Sequence, residues 1–146
     1  MPVTDDEIAV LRAHLSGNQA LQQELQARLA SPAARSRYAT LVAAAFFEAV
    51  DRRFAPRGTA ADVIDFVADV RARSERLAEG IDAQAAEQLI GAALTGEDAP
   101  GIDGEAKGRL FIVLLAALAS DEHFTDAELD AFLAEARKTA DGWLSQ

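Results

Sequence analysis

Cysteine is absent from this 146-residue chain. That removes disulfides, thiolate nucleophiles and Cys-based zinc sites from consideration, without indicating a redox compartment. Proline is scarce, with four residues, and tryptophan and tyrosine occur once each. Threonine is sparse and Ile and Val are modest beside abundant alanine, a balance that favours helix over strand. No apolar run reaches the length of a membrane-spanning helix. The acidic start Met1-Pro-Val-Thr-Asp-Asp-Glu7 has neither the positive charge nor the apolar run of a secretory signal. The expectation is a cytoplasmic protein that does not engage a membrane. Basic residues are also short: 14 Lys and Arg face 24 Asp and Glu, for a net charge of −10. Nucleic-acid binding draws on Lys and Arg for phosphate contacts, so the balance argues against a nucleic-acid partner.

Apolar residues, by contrast, make up half of the chain. That content argues against disorder, and the length suits one well-filled domain. The strongest feature is Leu110-Phe-Ile-Val-Leu-Leu-Ala-Ala-Leu-Ala119, which has no polar side chain. As a helix it spans roughly 15 Å, about half of a bilayer core. A helix apolar all round must be covered on every side. The stretch therefore predicts a central helix, about 104–119, in an all-α single-domain bundle of about seven helices. The helices carrying Phe46, Val67, Leu89 and Leu133 offer stripes to cover it.

Helix boundaries are marked along the chain. Thr4-Asp-Asp-Glu7 is a capping box, followed by Ile8, Leu11 and Leu15 on one face. Ser16-Gly17-Asn18 ends that helix and caps a second one carrying Leu21, Leu25 and Leu29. Residues 1–30 thus predict a peripheral helical hairpin with a narrow leucine stripe, and 31–146 the core bundle. Ser31-Pro32 starts a helix to about Phe54 with Val42, Phe46, Phe47, Val50 and Phe54. The neighbours Phe46 and Phe47 point about 100° apart, so one of them is expected to touch a second partner. Pro56-Arg-Gly58 breaks the chain. Thr59 then caps a long helix to about Glu79, whose stripe is Val63, Phe66, Val67, Val70, Ser74 and Leu77. Gly80 stops it, and Asp82 starts a short helix with Leu89 and Ile90. Thr95–Gly104 is the longest loop. Ser120–Phe124 is a turn, and the capping box Thr125-Asp-Ala-Glu128 opens a last helix with Leu129, Phe132, Leu133, Ala136 and Trp143 inward.

Charge is distributed unevenly. Arg28 to Arg76 holds nine Arg against six acids, a net of +3, whereas Leu77 to the end holds fourteen acids against four bases, a net of −10. Such asymmetry can guide a charged partner or a second copy, or simply solvate the helices. Arg52, Arg53 and Arg57, beside the helix start capped by Thr59, form a candidate anion site: guanidinium groups and free backbone amides both suit phosphate or carboxylate. Their ordinary role is to offset the dipole at a helix C-terminus. Asp62, Asp65 and Asp69 share a helix face, as Mg²⁺ ligands can, but the helix dipole and Arg73 account for them.

The stretch Asp121-Glu-His-Phe-Thr-Asp-Ala-Glu128 is similar to the exit half of an EF-hand. It also resembles the acidic helix-entry motif of the tellurite-resistance TerB-like helical proteins. It lacks the Gly that follows the Asp in the TerB-like pattern and the Asp-x-Asp-x-Asp-Gly run of a calcium loop. Capping accounts for Thr125 and Glu128, so no metal ligand is assigned there.

A serine triad would need a nucleophile elbow beside His14 or His123, and neither has one. Walker and dinucleotide glycine fingerprints are missing. The expected protein is therefore not an enzyme and uses no cofactor or metal. It is a helical interaction or adaptor module that binds a protein partner or itself, with Leu21, Leu25, Leu29, Phe46 and Phe47 as the candidate interface. The alternative is a regulator that binds a small anion or phosphate-bearing ligand through Arg52, Arg53, Arg57 and Thr59.

Overall fold

The structure, a computed structural model, describes residues 1–55, 57–96 and 101–146. Pro56 of the expected break and residues 97–100 of the expected loop lie outside the described residues. Those described form eight helices and no strand: α1 (Asp5–Leu15), α2 (Gln19–Gln26), α3 (Pro32–Phe54), α4 (Ala60–Ala72), α5 (Glu75–Gly80), α6 (Ala83–Thr95), α7 (Gly104–Glu122) and α8 (Asp126–Leu144). The all-helical bundle is as expected.

Capping chemistry sets most of the starts. Asn18 Oδ1 accepts from the Leu21 N–H at 3.1 Å, and Ser31 Oγ from the Ala34 N–H at 3.0 Å. The Thr125–Glu128 box closes in both directions, at 2.9 and 3.1 Å. Each of these bonds satisfies an amide that the first helical turn leaves unpaired.

Two boundaries differ from expectation. The long helix after Thr59 is two helices, because Ser74 leaves helical geometry and its hydroxyl caps α5 by accepting from the Leu77 N–H at 3.0 Å. Ser74 is exposed rather than part of a buried stripe. The expected turn at Ser120 is still helical: α7 runs to Glu122 and stops where His123 takes a left-handed conformation, φ 53°. Gly58, which follows the break, lies so close to the Phe54 backbone that a Cβ there would collide with it.

The larger correction concerns the centre of the bundle. α3, not α7, occupies it and packs against α1, α6, α7 and α8. Its buried positions alternate bulk with small side chains: Leu41, Val42, Phe46, Val50 and Phe54 beside Ala44, Ala45 and Ala49. The alanines let neighbouring helix axes come near, since interaxial distance follows side-chain size. α7 lies at the side. Leu110, Leu114, Leu115, Leu118 and Ala119 are buried, but Phe111, Ile112, Val113, Ala116 and Ala117 are only half-buried. Of the four helices expected to wrap it, those of Phe46 (α3) and Leu89 (α6) pack on it, whereas α4 packs on α5 and α6, and α8 on α3 and α1.

The side chains expected to form an interface turn inward. Phe46 is fully buried, with its ring 5.0 Å from that of Phe111. Phe47 is half-buried, its ring edge-on to Trp143 at 5.4 Å. The 100° divergence of the two phenylalanines is thus used within the chain. Leu25 and Leu29 close a small second core with Val10, Ala13 and Ala34. Leu29 lies beyond the end of α2, and Leu21 alone of the stripe is exposed, at 40%. α2 packs on α1, while α1 also reaches α3, α7 and α8, so the first half of the hairpin belongs to the bundle. Tyr38 packs against both cores, and burial pushes its phenol up to about 12.

Two long-range polar ties hold the N-terminal segment. The Val3 N–H donates to Asp141 Oδ1 at 2.7 Å, and Arg137 donates to the Val3 carbonyl at 2.7 Å and to Asp5 at 2.9 Å. Glu7, 1% exposed, is a buried charge. Its carboxylate accepts from the Thr4 N–H at 3.0 Å, from the Thr4 hydroxyl, and from Arg37 Nε at 2.8 Å. No helix among the described residues is long and apolar enough to cross a membrane.

Candidate functional site

The arginine group is engaged with the chain's own carboxylates. Arg52 and Arg53 lie in the last turn of α3, and Arg73 is the C-cap of α4. Arg52 pairs with Glu122 at 2.5 Å and lies over the Phe124 ring at 5.2 Å. Arg53 and Arg73 both donate to Asp121 Oδ2, at 3.2 and 2.9 Å, and Arg73 also holds Asp69 at 2.8 Å. Thus the arginine-rich stretch of the sequence meets the acidic C-terminal half at the end of α7, and part of the charge asymmetry is neutralised internally. Thr59 does not join this group. It forms a capping box with Asp62, its N–H donating to Asp62 Oδ2 at 2.9 Å. Arg57 is exposed and makes no ion pair among the described residues. The neighbouring hollow of about 310 Å³ is bordered by Arg53 together with Asp62, Asp65 and Asp69, which disfavour an anion. Among the described residues no group of His, Asp and Glu is arranged to hold a metal ion. Titration of phosphate into the protein in low salt should therefore give no binding heat. A saturable isotherm would restore the anion site.

Burial opposes ionisation of Asp121, but the two guanidinium groups outweigh it and hold its carboxyl below the ordinary 3.8. A carboxyl lowered on folding adds stability in full above its unfolded value, and this is lost as pH falls through the folded value. Asp121→Asn should cost about 1 kcal/mol at neutral pH, in keeping with a partly exposed network. It should also flatten the fall in Tm between about pH 5 and pH 3. Thermal melts across that range check both. An unchanged acid profile would mean that the clamp contributes nothing.

His14 is half-buried on α1, its Nε2 enclosed without a hydrogen-bond partner, and His123 is exposed at the α7 cap. Neither is set beside an activated nucleophile by any of the hydrogen bonds described.

A concavity lies on the side of α7 that α3 leaves uncovered. It is a half-open groove of about 770 Å³ between α5–α6 and α7. Its floor is Ile81 and Leu110, both buried. Half-buried Leu77, Ala85, Ile102, Ala106 and Val113 form its walls, and exposed Arg76, Gln84, Gln88 and Arg109 its rim. Asp82 and Asp103 also border it, but each is a helix cap: Asp82 accepts from the Ala85 N–H at 3.0 Å and Asp103 from the Ala106 N–H at 3.3 Å. The volume falls in the range of about 300–1,000 Å³ typical of binding clefts. None of these side chains was among the expected interface residues. The apolar run on α7 was expected to be covered by four neighbouring stripes, and this side stays open because α4 and α8 pack elsewhere.

No protein-family model, curated protein or solved structure matches this chain.

Proposed function

We propose that this protein is a non-enzymatic helical interaction module that binds a protein partner through the groove between α5–α6 and α7. The observation that carries this reading is where apolar surface remains open. Phe46, Leu25 and Leu29 are covered within the chain, whereas α7 keeps half-buried Val113 and Ala106 beside a cleft with a polar rim. An apolar floor with a polar border is the anatomy of a docking surface. A net charge of −10 favours a protein over a nucleic acid as partner, and we place the module in the cytoplasm.

A photo-cross-linking side chain at Gln88, on the groove rim, tests this against the same group at Ala131, on the exposed side of α8. The captured protein is then purified and its binding measured directly. The reading requires capture at Gln88 alone and saturable binding that Val113→Asp removes while the fold persists. Equal capture at both sites, or no binding on reconstitution, would contradict it.

A further inference from the structure

Residues 1–30 dock on the rest of the chain through little apolar surface and a set of carboxylates. We propose that this junction is an acid-released clasp: protonation of its carboxylates undocks α1 and α2 together and bares Tyr38 on α3, while α3–α8 stay folded. Packing is the first support, because each side keeps most of a core of its own. Val10, Ala13, Leu25 and Leu29 pack together within residues 1–30, and Ala34 is the one buried residue that α3 adds to them. In the main core, Val3 and Leu11 are the buried side chains that residues 1–30 supply among the described residues. The start of α3 is closed without the hairpin, by the Ser31 cap and by Pro32 in its first turn. A unit that shares few buried apolar contacts with its neighbour can open before the whole chain unfolds.

Charge is the second support. Among the described residues, the polar ties from residues 1–15 to α3 and α8 run through carboxylates, with one exception, Arg137 to the Val3 carbonyl. Glu7 takes Arg37 of α3 at 2.8 Å. On α8, Asp126 and Asp130 take Arg12 at 3.5 and 2.8 Å, Arg137 takes Asp5 at 2.9 Å, and Asp141 accepts from the Val3 N–H at 2.7 Å. Protonating Glu7 leaves the enclosed Arg37 guanidinium without its counter-ion, a costly state inside a protein. The exposed pairs are weak singly, but acid acts on all of them in the same direction. The remaining charged groups do not oppose release. Asp6 faces Arg28 within the hairpin, and Arg35 of α3 donates to the Ala30 carbonyl. Tyr38 is neutral in acid. Protonated His14 would carry its enclosed Nε2 as a donor with no acceptor, which also favours release. α7, which packs on α1 as well, makes no ion pair with it among the described residues.

The test is an acid titration of the full chain followed by amide and side-chain NMR. As pH falls from about 7 to about 3, the α1 and α2 amides should lose their dispersion and the Tyr38 ring should shift first, with α3–α8 still dispersed. Glu7→Gln mimics the protonated carboxyl. It should move that first step up by about one pH unit or more and leave the later loss of α3–α8 in place, since the released state no longer uses Glu7. If Glu7→Gln does not fold, Asp141→Asn should shift the first step the same way by less. Glu122→Gln, which breaks a tie within the bundle, should leave the first step where it is. One concerted loss of all eight helices in the wild type would overturn the separable clasp. A first step that neither Glu7→Gln nor Asp141→Asn moves would overturn its control by these carboxylates.

Discussion

Phe46→Ala will lower stability by about 3–5 kcal/mol and leave the association state unchanged. Phe46 is a fully buried side chain on the central helix, in ring contact with Phe47 and Phe111. Truncation removes its transfer free energy and leaves a cavity that the alanine-rich neighbourhood of α3 has little side-chain volume to refill. In a chain of this size the loss corresponds to a Tm lower by roughly 10 °C or more. Trp143, the single tryptophan, packs edge-on against Phe47 and reports the transition by fluorescence. Phe47→Ala should cost less, because Phe47 is only half-buried. If Phe46→Ala left stability intact and abolished self-association, the residue would be an interface anchor and the central position of α3 would be wrong.

Glu7→Gln will be nearly as damaging, at about 3–5 kcal/mol. The Glu7 carboxylate is 1% exposed and pairs with Arg37, whose side chain is 13% exposed. Removing one charge leaves the other enclosed without a counter-ion, and that uncompensated burial sets the size of the effect. Exchanging the whole pair for apolar groups is far gentler, so adding Arg37→Met should restore part of the loss. The double-mutant cycle measures their coupling. The pH dependence follows from the same contacts. Burial alone raises the Glu7 carboxyl, yet the Thr4 and Arg37 donors outweigh it and hold it below the ordinary 4.5. The contribution of Glu7 is therefore complete above that value and is lost as pH falls through the folded one. Urea midpoints for the wild type should fall in acid, and those for Glu7→Gln should fall less. Equal acid sensitivity would show that Glu7 does not titrate in its folded environment.

Helix starts were legible because they depend on residues within one turn: Asn18, Ser31, Asp82 and Thr125 cap where their side chains predict. The division at Ser74 was hidden because a serine between Arg73 and Leu77 fits a helix interior as well as a cap, and tertiary packing of α5 decides between them. Burial of Leu110, Leu114, Leu115 and Leu118 was legible from composition. The centre of the bundle was not: centrality depends on how closely neighbours approach, and alanine, weakly hydrophobic, permits the closest approach. The same limit applies to the site. Carboxylate recognition by Arg52 and Arg53 was legible, but not that the carboxylates are Asp121 and Glu122, about 70 residues onward. Glu7–Arg37 is likewise set by how α1 lies on α3. The groove arises between helices whose separation no local pattern encodes.

α7 is a side helix, locked on one edge and open to a groove on the other. Because the chain has no cysteine, single thiols can test it directly. Val113→Cys and Leu114→Cys place adjacent probes on the half-buried groove wall and on a fully buried position. Labelling with a maleimide under native conditions should modify Cys at 113 readily and Cys at 114 only after denaturation. Equal protection of both thiols would contradict the open groove, and with it the docking surface.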